Sequence, residues 1–250
     1  MDFKNEFALF SKDRKIPQQR FSILGGEEEQ EDTFWLRVKI VLKNSSFKLL
    51  VLGISGLYFV VCGLQYWVSA YLQIALHIND SEVYLYYSFT CLTAPIAGVV
   101  IGGVIFGSIG GYNSKKSLRI CCILGSFAAM SAIPIPFLNH KISVYLLLWF
   151  VFFFGASILP TMTGIMLNSV EMERRTTANS IATLAYNLFG YLPSPFVYGL
   201  FSDIIKGDEI TSHRVALAVI LGWSIPAVLF IVCAYFKRDP KRRRASKRLN

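Results

Sequence analysis

No charged residue interrupts the cores of six long apolar stretches that fill this chain from about Leu49 to Phe236. Buried charge is costly in hydrocarbon, and residues that do chemistry inside a bilayer are mostly ionisable. Histidine is scarce: His77, His140 and His213 all fall in links between stretches. No Asp or Glu lies within a stretch, and the chain has no His-Glu-x-x-His, no Gly-x-Ser-x-Gly and no pair of intramembrane aspartates. These absences argue against an enzyme, and no cofactor is expected. Cys62, Cys91, Cys121, Cys122 and Cys233 sit in or at the edges of the stretches without metal-ligand spacing. They read as packing residues rather than disulfides or a metal site. Met1–Ser46 is polar and holds no apolar core of the kind a cleavable signal peptide needs.

A hydrocarbon layer takes ~20 apolar helical residues to cross, and within it every backbone group must be paired internally. The stretches Leu49–Tyr71, Tyr84–Ile109, Leu118–Leu138, Ser143–Leu167, Asn179–Phe201 and Val215–Phe236 meet that length. The expected fold class is an all-α membrane protein of six transmembrane helices, and the first partner is the lipid bilayer itself.

Basic residues alternate between the links. Nine precede the first stretch, from Lys4 to Lys48; Lys115, Lys116 and Arg119 follow the second; Arg174 and Arg175 follow the fourth; eight, from Lys237 to Arg248, form the tail. Of the 25 Lys and Arg, only Lys141, Lys206 and Arg214 fall on the opposite side. The positive-inside rule places both termini in the cytosol. The net charge of +9 is therefore a topology and membrane-surface signal, and no nucleic-acid partner is expected.

Three regions follow. Residues 1–46 form a cytosolic, linker-like segment. In it the acidic run Glu27-Glu28-Glu29-Gln30-Glu31-Asp32 precedes Phe34, Trp35, Leu36, Val38, Ile40, Val41 and Leu42 interleaved with Arg37, Lys39 and Lys43. That pattern suits an interfacial amphipathic helix. Residues 47–236 form the bundle, and 237–250 a basic cytosolic tail. Asn79-Asp80-Ser81 is a sequon beside the bilayer, and Asn44-Ser45-Ser46 matches by chance on the cytosolic side.

Within the stretches, Gly98, Gly102, Gly103, Gly107 and Gly111 include pairs four apart on the second span. Such spacing lets helix backbones approach closely, and these are the helix-packing candidates. Pro160, Pro193 and Pro195 are hinge candidates, because a proline removes a helical hydrogen bond. Arg174 and Arg175 read as gate or anchor residues. Gln65, Trp67, Ser69, Thr93, Thr163 and Asn187 are uncharged polar or aromatic groups within spans. They could be glue between helices or could line a cavity. The absence of charge suits an amphipathic solute better than an inorganic ion.

Several segments in order resemble the C-terminal half of a major facilitator superfamily transporter of the Spinster-like family. Asn44-Ser45-Ser46-Phe47 with Gly63-Leu64-Gln65-Tyr66-Trp67-Val68-Ser69 is similar to that family's seventh helix. Thr90-Cys91-Leu92-Thr93 and the glycines after it resemble the eighth. Gly103-Val104-Ile105-Phe106-Gly107-Ser108-Ile109-Gly110 has the spacing of the superfamily's loop motif, with Gly107 and Ser108 where Asp and Arg would stand. Arg174-Arg175-Thr176-Thr177-Ala178 and Gly190-Tyr191-Leu192-Pro193-Ser194-Pro195 resemble the tenth loop and eleventh helix, with Asn187 where many members have His and Tyr191 where many have Asp.

The resemblance implies half of a facilitator fold and secondary transport of a sphingolipid, lysophospholipid or similar small amphipathic substrate by alternating access. It also implies an N-terminal six-helix half as partner, upstream in the same chain or as a separate subunit. Lysosomal or endosomal membranes and the plasma membrane both suit the family. Three explanations of a single half compete: a truncated gene product, a half-transporter that pairs, or a non-transporting remnant with a structural or regulatory role.

Overall fold

The computed structural model describes residues 26–113, 115–205 and 208–237, with side chains from residue 34 onward apart from that of Asn113. The amino-terminal residues before Gly26 and the tail after Lys237 lie outside the described residues. Two compact units divide the chain, residues 1–37 and residues 38–250. Helix α1 (Gly26–Lys43) begins in the first and ends in the second, so helix takes in the acidic run as well as the amphipathic stretch.

The second unit is a helical bundle. Helix α2 (Ser45–Leu76) follows Asn44 directly. The Asn44 carboxamide oxygen accepts from Ser46 N at 3.1 Å and Phe47 N at 3.4 Å, satisfying amides that a helix leaves open at its start. α2 ends at His77, whose backbone turns left-handed at φ 52°. Helix α3 (Asp80–Ser108) starts with Asp80 and Glu82 in its first turn, where the helix dipole favours acids. It stops at Gly110 and Gly111, with φ of 94° and 63°, a conformation glycine reaches without penalty.

Helix α4 (Lys115–Ala132) runs into a short turn, Ile135–Phe137, framed by Pro134 and Pro136. Helix α5 (Lys141–Leu167) contains Pro160. The fifth apolar stretch is not one helix. It consists of α6 (Arg175–Tyr186), a π-helical turn at Asn187–Tyr191, and α7 (Pro193–Ile204). The sixth divides into α8 (Glu209–Gly222) and α9 (Ser224–Lys237), which break at Trp223 near Pro226. Five helical segments are long and apolar enough to cross a membrane: Ser45–Leu76, Asp80–Ser108, Lys115–Phe137, Lys141–Leu167 and Glu209–Lys237. The broken fifth stretch supplies the sixth crossing.

Contacts at the ends show the alternation. At one end Lys141 Nζ meets Glu82 Oε1 at 2.6 Å, Arg214 donates to Asn139, and Tyr71 Oη donates to Ile135 O at 3.4 Å. At the other, Asn44 Nδ2 donates to Ser169 O at 2.7 Å, and Arg119 donates to Tyr235. Two hydrophobic clusters match the two ends, one around Leu64, Tyr71, Leu148 and Leu217, the other around Ile54, Leu118, Met162 and Ile231.

α2 is the central element. A Cβ added at Gly56 would lie 2.7 Å from Ala227 Cβ, and one at Gly63 would lie 2.5 Å from Ile220 Cγ2 and 2.6 Å from Ser194 Oγ. The missing side chains let α2 lie directly on α7, α8 and α9. α5 is the second hub, packed against both α3 and α4.

Candidate functional site

The broken fifth stretch has an identifiable cause. Pro195 cannot donate to Tyr191 O, and Pro193 cannot donate to Phe189 O, so two successive helical bonds are lost. The chain widens by one residue, and Leu192 N reaches back to Asn187 O at 3.0 Å. Such π turns concentrate at functional positions. Neighbouring side chains satisfy part of the freed backbone: Cys62 Sγ donates to Tyr191 O at 3.4 Å. Ser194 Oγ, fully buried, donates to Phe59 O at 2.5 Å, and Trp67 Nε1 donates to Pro195 O at 3.0 Å. The first span thus grips the break at three points. Gly190 permits this, since a Cβ there would lie 2.8 Å from Ser55 O.

Aromatic rings surround the break. Tyr58 lies 4.8 Å from Tyr191 and 5.2 Å from Tyr186, centroid to centroid. Trp67 stacks on Tyr198 at 4.7 Å with planes 14° apart, and Tyr198 Oη is 2.9 Å from His213 Nδ1. His213 therefore belongs to a helix and a packed contact, not to a solvated link as its place in the sequence suggested. The reason is that α8 begins six residues before the apolar stretch that follows it.

The sequence candidates fall in separate places. Gln65, Trp67 and Ser69 are on α2; Gln65 is exposed, and Trp67 and Ser69 are half-buried. Asn187 is exposed in the π turn and donates to Thr183 O at 2.9 Å. Thr93 lies between α3 and α5, donating to Phe89 O at 2.8 Å and accepting from Trp149 Nε1 at 3.0 Å. Thr163 donates to Leu159 O within its own helix. Trp67 is thus brought to the break that holds Asn187, whereas Thr93 and Thr163 make other contacts.

The five glycines divide as well. Cβ atoms at Gly98 and Gly102 would lie 2.3 Å from Phe153 O and 2.5 Å from Ser157 O, so both hold α3 against the backbone of α5. Gly103 and Gly107 meet nothing within 4 Å, and Gly111 lies past the helix in the turn. Pro160 is exposed on α5, while Pro193 and Pro195 follow the break in the first turn of α7. Arg174 pairs with Glu171 at 2.5 Å, and Arg175 donates to Asn168 Oδ1 at 2.7 Å, at the start of the fifth stretch.

Sequence reasoning missed Asn44, read as a chance sequon, and the glycines of α2. An Asn directly before an apolar run is a helix-start signal. Gly53, Gly56 and Gly63 lack the four-residue spacing of the second stretch, so their use shows only in the packing against α7, α8 and α9.

The exposed residues of α2, α3 and the fifth stretch are largely apolar and aromatic, among them Tyr66, Phe89, Leu92, Val100, Leu188, Leu192 and Phe196, and Gln65 and Asn187 are exposed on the same elements. The apolar stretches Leu49–Tyr71, Tyr84–Ile109 and Asn179–Phe201 hold no acid or base.

Comparison with known proteins agrees with that architecture. The chain is 26% identical to mouse protein spinster homolog 1 over 239 residues, which cover 84% of this chain and 44% of the relative. It is 25% identical to the sphingosine-1-phosphate transporter of Xenopus tropicalis, over 83% of this chain and 43% of that one. The crystal structure of a bacterial homolog to the human lysosomal transporter Spinster, inward-facing and unoccupied, matches with a TM-score of 0.63 at 14% identity, over 80% of this chain and 50% of that one. The occupied form gives 0.60, also at 14% identity, over 76% and 49%. The chain spans about half the length of the curated relatives it matches. The family model of the Major Facilitator Superfamily matches residues 8–195, well over half of the chain, so this helical bundle with its broken fifth crossing is that of a member of the Major Facilitator Superfamily.

Proposed function

We propose that this chain is the C-terminal half of a twelve-helix carrier that moves an amphipathic, lipid-like solute across a membrane by alternating access. The observation that carries the reading is the break at Asn187–Tyr191. Irregular backbone at membrane depth is tolerated where it is buried in protein or lines a cavity, and discontinuous helices of this kind form substrate sites in secondary transporters. Here Asn187, Leu188 and Leu192 are exposed at the break, while Cys62 and Trp67 of the first span donate to Tyr191 O and Pro195 O and Phe59 O accepts from Ser194; in this reading the exposed face lines the cavity.

The solute class follows from the chemistry of that side. Large apolar and aromatic surfaces accept a hydrocarbon chain, while Gln65 and Asn187 offer amide donors and acceptors without fixed charge. A sphingoid or lysophospholipid fits this combination, and one relative's name specifies sphingosine-1-phosphate. An N-terminal six-helix half, in the same chain or separate, closes the cavity. Both termini face the cytosol in this reading, and the compartment is lysosomal, endosomal or the plasma membrane.

The test is uptake of fluorescent sphingosine and lysophosphatidylcholine by cells producing this chain together with the N-terminal half of a Spinster relative. Uptake is expected, and it is expected to drop several-fold in Asn187→Leu and Gln65→Leu. A pair that assembles but moves neither lipid assigns the chain instead to the non-transporting membrane subunits.

A further inference from the structure

Two crossings are broken, and both breaks lie against the same turn of α2. The fifth crossing opens at Asn187–Tyr191. The sixth opens at Trp223, between α8 and α9. Its cause is similar: Pro226 cannot donate to Gly222 O, and Trp223 N reaches back to Ile220 O at 3.2 Å.

The shared turn is residues 55–59. Toward the fifth crossing, a Cβ at Gly190 would lie 2.8 Å from Ser55 O and 3.4 Å from Phe59 N, and Phe59 O accepts from Ser194 Oγ at 2.5 Å. Toward the sixth, the Phe59 ring centroid lies 5.2 Å from that of Trp223, and a Cβ at Gly56 would lie 3.7 Å from Trp223 Cδ1 and 2.7 Å from Ala227 Cβ. Phe59 thus touches both broken crossings, the fifth with its carbonyl and the sixth with its ring. A proline break in a lone helix bends by itself. Here α2 runs unbroken from Ser45 to Leu76, and Phe59 is buried. A movement of α7 pulls on Phe59 through Ser194, and close-packed side chains transmit that strain to Trp223.

Two hydroxyls mark the same level. Ser55 Oγ and Ser224 Oγ have no hydrogen-bond partner among the described residues, although the two side chains are only 2% and 5% exposed. A buried hydroxyl left unpaired is destabilising, and native structures hold few of them. Each stands near a carbonyl that proline has deprived of its ordinary helical donor. Ser55 lies against Gly190, the residue after Phe189, and Ser224 comes two residues after Gly222. Groups that are unfavourable in one conformation shift the balance toward any conformation that pairs them.

We infer that the fifth and sixth crossings bend as a pair about residues 55–59, and that Ser55 and Ser224 are positioning residues whose hydroxyls become bonded when the bend changes. The pairing does not depend on the alternating-access reading; its use in transport does. The sixth crossing is then a moving part of this half rather than a fixed wall.

The experiment is hydrogen–deuterium exchange of the purified full chain in detergent, followed by mass spectrometry of peptides over residues 187–192 and 221–228. Pro226→Ala restores the donor to Gly222 O. It should slow exchange several-fold over 221–228 and also over 187–192, because local openings that share one equilibrium are protected together. Ser55→Ala and Ser224→Ala remove the unpaired hydroxyls. Each should raise the unfolding temperature by about 2–4 °C and slow exchange at both breaks. In cells that also produce the N-terminal half of a Spinster relative, both serine variants should lower the rate of fluorescent lysophosphatidylcholine uptake several-fold at saturating lipid, with the half-saturating concentration unchanged. Slower exchange confined to the sixth crossing in Pro226→Ala would overturn the pairing. An unfolding temperature unchanged or lowered in both serine variants would overturn the role of the hydroxyls, and so would unchanged uptake. If the native pair takes up no lipid, the transport reading fails, and the exchange result still decides the paired bend.

Discussion

At the residue scale, glycine separates two jobs that look alike in sequence. Gly98 and Gly103 lie on one helix, yet a Cβ at Gly98 would sit 2.3 Å from Phe153 O and a Cβ at Gly103 would touch nothing. Gly98→Ala is therefore expected to push α3 off α5 and to cost about 1–3 kcal/mol. Gly103→Ala should leave stability unchanged. Thermal unfolding of the two variants in the same detergent reads the difference directly, and equal losses would mean that the α3–α5 contact is not as close as described. Ser194 offers a second test. Its hydroxyl is fully buried and bonded to Phe59 O at 2.5 Å. Ser194→Ala removes that bond between the first and fifth crossings and should cost about 0.6 kcal/mol, the average for such bonds in membranes, and no more than about 1.7 kcal/mol in a thermal or denaturant unfolding measurement.

At the element scale, hydropathy located the crossings but not their ends or their breaks. The apolar stretch Leu49–Tyr71 is the hydrocarbon-depth part of a helix that runs from Ser45 to Leu76. Hydropathy marks where lipid tails touch the chain. A helix continues into the headgroup region until a cap or a turn residue stops it, as Asn44 and His77 do here. The fifth stretch was legible as apolar, and Pro193 and Pro195 as hinge candidates. The π turn was not, because it depends on Cys62 and Trp67 donating to Tyr191 O and Pro195 O, and on Phe59 O accepting from Ser194, across more than a hundred residues of sequence. Replacing both prolines, Pro193→Ala with Pro195→Ala, restores the two missing donors. We expect the fifth crossing to regularise, the protein to unfold at a higher temperature, and lipid uptake by the completed carrier to fall at least several-fold. Unchanged uptake in a stabilised variant would separate the break from transport.

At the scale of the whole molecule, burial is uneven among the long helices of the bundle. Its first crossing is the most buried of the five long helices and its second the least, because α2 is surrounded by the fifth and sixth crossings while α3 packs mainly on α5. The glycine spacing of the second stretch did not tell that Gly98 and Gly102 lie against α5 while Gly103 and Gly107 meet nothing within 4 Å; the register of two helices is a property of their packing, and spacing alone does not specify it. The account requires a second set of helices to close the cavity, since one half offers the solute a surface but no enclosure. The most direct test is uptake of fluorescent sphingosine into liposomes containing the purified chain, alone and after co-reconstitution with the N-terminal half of a Spinster relative. The account predicts no uptake above protein-free liposomes for the chain alone and clear uptake for the pair. Robust uptake by the chain alone, shown to be monomeric in the membrane, would contradict it.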